Sequence, residues 1–373
     1  MATDKNIYVT KPNLPSLSDL APYLEKIWER RILSNCGPFH VDLENALCDY
    51  LGVNYISLFC NGTVSLVTAL QTLGITGEVI TTPFSFVATS HALLWNKITP
   101  VFVDIEKDHL NLDPSKIEEA ITEKTTAILP VHCYGNPCKV DEIQSIANKY
   151  NLKVIYDAAH AFGVKLDSSS VLSHGDISSV SFHATKVFNT FEGGALVCSN
   201  VETKDYIDKL KNFGHEGEET VLAPGINGKM SEFNAAIGLL QLGEIDHFIE
   251  LRKTVDKTYR QELEGIDGIQ CIEQTNNTVS NYSYFPILVE PGYYLTRDDL
   301  YNEFKKIGIY TRKYFYPLIT DFPMYSGFPS ANSSRLPVAT RVSSQVLCLP
   351  IYPDLELDTV RVITQFIRSK SIL

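Results

Sequence analysis

Short, unbroken apolar runs recur through the first two-thirds of the chain: Tyr55–Cys60, Val79–Thr82, Pro100–Ile105, Ala127–Tyr134, Lys153–Tyr156, Val180–Phe182 and Ala195–Cys198. Each is too short for a helix, and the longer ones carry apolar residues on both faces, which predicts strands buried on two sides. Between several of them, Val64–Leu73, Phe86–Trp95, Pro114–Ile121 and Val140–Tyr150 show helical spacing of their apolar positions. Asp113-Pro114 and Asp141 supply helix-start chemistry. Met230–Leu242 and Ile245–Leu263 read as two further helices. Buried strands alternating with helices predict an α/β fold with a mostly parallel central sheet, covered on both faces. In such a sheet ligands bind beyond the carboxyl ends of the strands, so chemistry is sought just after each apolar run.

The texture changes after Gly265–Gly268. Polar, turn-rich stretches (Gln274–Ser280, Gly327–Ser334) separate a short strand, Ser283–Leu288, from an amphipathic helix, Arg297–Lys306. We therefore expect a large α/β domain over residues 1–250 and a smaller α+β domain over 251–373, with a long helix bridging them as the alternative. Pro12–Pro22 reads as an N-terminal arm, ordered or mobile.

Composition narrows the class. The 373 residues carry 32 Lys and Arg against 44 Asp and Glu, a net charge of −12. That balance disfavours nucleic acid and anionic lipid as partners. No apolar run is long enough to span a bilayer, and the opening Met1–Asn6 shows no secretory h-region, so the expected location is the cytoplasm. In that setting the eight cysteines read as structural thiols rather than a disulfide framework, and their spacing forms no metal site.

Three strand ends carry candidate chemistry. Asn61-Gly62-Thr63 follows the first run and opens a helix, where Gly62 allows close backbone approach and the first-turn amides suit a phosphate; a plain capped turn is the alternative. Asp157 ends a buried strand in Asp157-Ala-Ala-His160-Ala, either as a helix cap or as a carboxylate paired with a buried cation. His160 by itself reads as a structural histidine rather than a catalyst. Lys186 lies just past Ser181-Phe-His183-Ala-Thr and before Glu192-Gly-Gly, where confinement would favour the neutral amine of a Schiff-base nucleophile over a solvated lysine. A phosphate cradle, an aspartate for a pyridinium nitrogen and a Schiff-base lysine are what pyridoxal phosphate requires of a protein. Phe86 would lie against the cofactor ring, with a core aromatic as the alternative.

On Asn61-Gly-Thr, Thr82-Pro-Phe-Ser-Phe-Val-Ala-Thr, Pro130-Val-His-Cys-Tyr-Gly, Asp157-Ala-Ala-His-Ala, Ser181-Phe-His-Ala-Thr-Lys, Glu192-Gly-Gly and Gly225-Ile-Asn-Gly-Lys-Met-Ser-Glu-Phe-Asn-Ala-Ala-Ile-Gly, the chain resembles the DegT/StrS family of nucleotide-sugar aminotransferases. The resemblance implies a fold type I, aspartate-aminotransferase-like architecture and a homodimer with shared active sites. It places Gly62, Thr63 and Ser181 on the cofactor phosphate, Asp157 on the pyridine nitrogen and His160 near the phenolic oxygen. Lys186 would be the catalytic Schiff-base lysine, and Asn227 would reach the partner subunit's phosphate. His183, Arg312 and Tyr316 are the candidates for the substrate, with Lys305, Lys306 and Lys313 as further local cations.

Many members have glutamine where His160 stands, and Val187–Phe191 is not the commonest version. The segments Ile7-Tyr-Val-Thr-Lys-Pro and Leu33-Ser-Asn-Cys-Gly-Pro-Phe-His are similar to the viosamine branch. That branch implies transfer from L-glutamate to C4 of dTDP-4-dehydro-6-deoxyglucose, with an O-antigen or other surface glycan as the destination. The rivals are C3 amination of a 3-keto sugar and a non-catalytic ligand sensor on the same fold.

Overall fold

The predicted strands form one sheet in the computed structural model, which describes residues 6–371. Residues 1–5 and 372–373 lie outside the described residues, and the reading of a leaderless start falls almost wholly on the first of these. The strands are β1 (Tyr55–Phe59), β2 (Glu78–Thr81), β3 (Thr99–Phe102), β4 (Thr125–Leu129), β5 (Lys153–Asp157), β6 (Ile177–Ser181) and β7 (Gly194–Cys198). Their order in space is β1-β7-β6-β5-β4-β2-β3. All neighbours run parallel except β7, which is antiparallel to both β1 and β6. Residues 182–193 contain no crossover helix, so the chain leaving β6 turns straight back into β7 on the same edge.

Successive residues of the strands face opposite cores, which explains the continuous apolar runs. On one face Ile56, Leu58, Val180, Ala195 and Val197 pack with Leu43 and Leu47 of α2 (Pro38–Leu51). Ile27 of α1 (Leu17–Arg30) joins the same core. On the other face Phe59, Ile177 and Leu196 meet Leu66 and Leu70 of α3 (Gly62–Thr72), together with Leu93 of α4 (Ala88–Trp95). Ile143 of α5 (Val140–Tyr150) covers β4 and β5, and Ile207 of α6 (Val201–Leu210) joins the α3 side.

Four expectations need correcting. The run Ala127–Tyr134 is strand only to Leu129, because Pro130 has no N–H to offer the ladder and the chain then tightens into a turn at Cys133–Gly135. Pro114–Ile121 is not an α-helix but two 3-10 turns, Pro114–Lys116 and Glu118–Ala120, since so short a segment closes i→i+3 bonds before a helix propagates. Pro12–Pro22 divides: Ser16 caps α1, so its second half is helix rather than arm. The two helices expected around residues 230–263 are one, α7 (Glu232–Leu263), which carries Gly243 through its middle. The glycine costs about 1 kcal/mol of helix propensity, and packing on both flanks outweighs it.

One helix therefore serves two cores. Ile245 and Ile249 belong to the α2 side, whereas Val255, Tyr259 and Leu263 enter a second cluster. That cluster lies under a three-stranded antiparallel sheet of β8 (Ile269–Cys271), β9 (Phe285–Val289) and β10 (Val346–Leu349), covered by α8 (Arg297–Lys306) and, after α9 (Pro337–Gln345), by α10 (Leu357–Ser369). A third cluster joins the two parts: Phe84 and Tyr134 meet Phe315, Leu318 and Cys348. Buried Asp104, just past β3, fastens this seam by accepting the Val338 and Ala339 amides at 3.0 and 2.8 Å.

Candidate active site

The return from β6 to β7 fixes the position of Lys186. Ser181 pairs with Gly194 across the two strands, so residues 182–193 arch over the carboxyl edge of the sheet. The arch walls a cavity of ≈ 390 Å³ shared with the ends of β1 and β5 and the start of α4, and Tyr284, Tyr314 and Phe315 close it from the smaller part. Lys186 enters it as a lone cation. Its Nζ stands 5.8 Å from the Tyr284 ring centroid and forms no salt bridge among the described residues. Burial pushes its pKa down to about 8, partly offset by Asp157. A substantial share of neutral amine at physiological pH is what a nucleophilic lysine needs.

Asp157 closes β5 at the floor of the cavity. Its Oδ2 accepts the Thr89 hydroxyl at 2.7 Å and its Oδ1 accepts the Ala159 amide at 3.1 Å. Burial raises its pKa, opposed by Thr89, Ala159 and Lys186. His160 lies beside it, stacked parallel to Phe315 at 6.1 Å and tilted on Tyr284 at 4.8 Å. The Tyr134 amide donates to His160 Nδ1 at 3.1 Å. Nδ1 is thereby the acceptor, which leaves Nε2 to carry the proton of the neutral ring. Burial drives the His160 pKa well down, so the imidazole stays uncharged.

The third corner is the entry to α3. The Asn61 side chain caps the Val64 amide at 2.8 Å, leaving the Gly62 and Thr63 amides with no acceptor among the described residues. Thr63 and Ser181 line the same cavity, and Gly62 between them packs closely against Ser181 and Gly194. A Cβ at Gly194 would come within 2.7 Å of the Gly62 nitrogen, and one at Gly62 within 3.0 Å of Ser181 Cβ. Two unpaired amides at a helix N-terminus beside two hydroxyls form an anion site.

At the mouth Phe86 is 60% exposed, released from α4 because that helix begins two residues later than its spacing predicts. His183 also lines the mouth, its Nε2 3.7 Å from Glu192. Asn227, Arg312 and Tyr316 do not line this cavity. Asn227 is exposed on a bridge to Asn212. Tyr316 lies under Arg297, whose guanidinium carbon is 4.5 Å from the ring centroid. Exposed Arg312 is tied through its backbone to Cys348.

A confined amine, a floor carboxylate and an anion cradle meet in one cavity, and comparison with known proteins identifies the family. The sequence pattern of the DegT/DnrJ/EryC1/StrS aminotransferase family matches residues 18–368. The chain belongs to that family. It is 57% identical over 369 residues to the dTDP-4-amino-4,6-dideoxy-D-glucose transaminase of Escherichia coli, covering 98% of this chain and 99% of that one. The enzyme of the same name from Shigella dysenteriae is 55% identical over 365 residues, with the same two coverages of 98% and 99%. Among solved structures, DesI crystallised in the presence of its TDP-sugar product superposes with a TM-score of 0.95 at 34% identity, over 99% of this chain and 94% of that one.

The protein is thus an aminotransferase of the pyridoxal-phosphate-dependent fold type I class, and the cavity fits that cofactor on its own chemistry. The α3 cradle, with its unaccepted amides, suits a phosphate. Asp157, with lone pairs left over after two donors, suits a protonated ring nitrogen, and the unpaired amine of Lys186 suits a carbonyl carbon.

Ser85, Ser179 and Tyr284 on the cavity wall, and Thr89 behind it, were given no role by the sequence reading. Thr89 was within reach, since it ends the Thr82–Thr89 motif one helical turn beyond Ser85. Tyr284 was not, because a closing contact across two cores leaves no periodic trace.

Proposed function

We propose that the protein transfers the amino group of L-glutamate to C4 of dTDP-4-dehydro-6-deoxy-D-glucose, giving dTDP-4-amino-4,6-dideoxy-D-glucose. The observation that carries this reading is 57% identity, end to end, with a transaminase named for that product. The reaction takes place in the cytoplasm, supplies a surface glycan such as O-antigen, and is run by a homodimer.

Bound pyridoxal phosphate supplies an electron sink for the carbanion formed at the donor carbon. Lys186 would hold the cofactor through Nζ, and its free amine would take the Cα proton of glutamate. In the second half-reaction the same amine delivers a proton to the sugar carbon that becomes amine-bearing. Asp157 keeps a proton on the ring nitrogen, and His160 donates from Nε2 toward the phenolic oxygen. Gly62, Thr63 and Ser181 hold the phosphate, completed by Asn227 of the partner subunit. Phe86 covers the ring, and His183 meets the substrate at the mouth.

For the sugar diphosphate we assign Arg312 and Tyr316. They belong to a patch in which Lys313 lies 4.4 Å over Tyr301 and 5.6 Å over Tyr316, while Arg297 and Lys313 share Asp298 as an acidic partner. Residues 1–250 thus carry the cofactor, and 251–373 present cations to the substrate. Incubation with glutamate and a panel of 3-keto and 4-keto nucleotide sugars, followed by NMR location of the new amine, tests the reading. Amination at C3 would replace it with the rival regiochemistry. A protein that binds the sugars but leaves glutamate unchanged would be a sensor.

A further inference from the structure

Resting on the assignment of Asp157 to the ring nitrogen, the geometry points to Thr89 as a positioning residue: its hydroxyl, ordered by Ser85, keeps the Asp157 carboxylate ionised and turned toward the cavity. Thr89 has one hydroxyl proton and gives it to Asp157 Oδ2 at 2.7 Å. The Ser85–Thr89 contact of 2.8 Å must then run from Ser85 to Thr89. The result is a one-way chain, Ser85 to Thr89 to Asp157. Its members are all buried, with relative exposures of 5%, 0% and 8%.

The direction matters chemically. Every group on the protein side of Asp157 donates: the Thr89 hydroxyl to one oxygen and the Ala159 amide to the other. A proton on Oδ2 facing Thr89 would reverse the whole chain. The arrangement therefore suits the anion, with its remaining lone pairs directed to the cavity. Asp157 needs this support because burial favours its neutral acid. Three titratable side chains surround it: Lys186, neutral His160, and the buried Cys133 thiol. Only Lys186 offers positive charge, and that charge is absent whenever its amine acts as nucleophile or base. The hydroxyl and the amide are the donors that remain throughout, and of these only the hydroxyl belongs to a side chain. Thr89 also sits in the first turn of α4, where a threonine bonding outward gives up its option of bonding back onto its own helix.

The test uses holoprotein reconstituted with pyridoxal phosphate carrying 15N in the ring, read by NMR for protonation of that nitrogen and by titration for cofactor affinity. Thr89→Val should move the ring nitrogen toward the unprotonated shift and weaken cofactor binding about tenfold, the loss expected when a charge-assisted hydrogen bond is removed. Thr89→Ser, which keeps the hydroxyl, should restore both. Ser85→Ala should change each in the same direction by about twofold to threefold, having lost only the ordering bond. If Thr89→Val does not bind cofactor, selective 13Cγ-aspartate labelling of the apoprotein reads Asp157 directly, and its titration should move up. A Thr89→Val protein with the protonated shift and unchanged affinity overturns the role. Asp157→Asn separates the two readings. Loss of the protonated shift in Asp157→Asn but not in Thr89→Val defeats the relay alone, whereas retention in both defeats the assignment of Asp157 itself.

Discussion

Lys186 and Lys211 both lie in the larger part of the chain, deprived of most of their water, yet their surroundings treat them oppositely. Lys211 has 1% of its side chain exposed and is fully answered: its Nζ is 2.7 Å from Asp208 and 3.4 Å from Glu44. Lys204 shares both acids, and the Ser57 hydroxyl donates to Asp208 at 2.7 Å. Burial pushes the Asp208 carboxyl up, but Lys211 and Lys204 outweigh it and hold it below its ordinary value. Nearby His40 is forced down to about 4 by burial and then by Lys211. Of the two carboxylates lining the Lys186 cavity, Glu192 stands beside His183 and Asp157, the one that acts on Lys186, is already bonded to Thr89 and Ala159; Lys186 forms no salt bridge among the described residues. A buried cation paired with acids is a structural element, whereas one left unpaired stores reactivity.

The sharpest way to break this contrast is to remove each amine. Lys186→Ala should lose transamination by at least about a thousandfold while remaining folded, because no side chain depends on Nζ for a partner. Amino transfer from glutamate near the wild-type rate would refute the assignment. Lys211→Met should show the reverse, a stability loss of about 2–4 kcal/mol by urea denaturation with activity per folded molecule retained. The figure is set below that for a fully enclosed pair because Asp208 keeps a third of its side-chain exposure and Lys204 remains.

Next comes pH. The folded pKa of Lys186, about 8, lies below the ordinary lysine value of 10.5. The unfolded state therefore binds more protons between those values, and stability rises with pH across that window. Below pH 8 the full cost of confining the amine is present; above pH 10.5 it is gone. Apoprotein Lys186→Met should accordingly be more stable than wild type at pH 7, by about 1–3 kcal/mol, with the gap closing toward pH 10.5. A gap independent of pH would mean that Lys186 is solvated like a surface lysine. The smallest effect is expected for Ser57→Ala, which removes one donor from Asp208 and should cost about 1 kcal/mol without altering activity.

The same contrast shows what was legible. Lys186 stood out because it follows a strand end, between a serine–histidine pair and two glycines. Lys211 sits in an ordinary polar stretch after α6 and left no signal, since its partners Glu44 and Asp208 come from α2 and α6. The seven strands were readable from their apolar runs, and α5 and α8 match their predicted spans of Val140–Tyr150 and Arg297–Lys306. The Gly243 break in α7 was misread because local propensity there favours a stop. The start of α4 was placed two residues too early; the helix begins at Ala88, which is what frees Phe86.

By itself the sequence determined the alternating α/β order, the parallel sheet and the strand ends where Gly62, Asp157 and Lys186 would stand, since all of these follow from local periodicity. It also determined the family, through motifs spaced along nearly the whole chain. Only the tertiary structure decided that Thr89 would answer Asp157 and that the Tyr134 amide would fix the His160 tautomer. It also decided that Tyr284 and Phe315 from the smaller part would wall the cavity. Those contacts join segments far apart in the chain, and the dielectric, the donors and the shape that tune a reactive group exist only once such segments pack together.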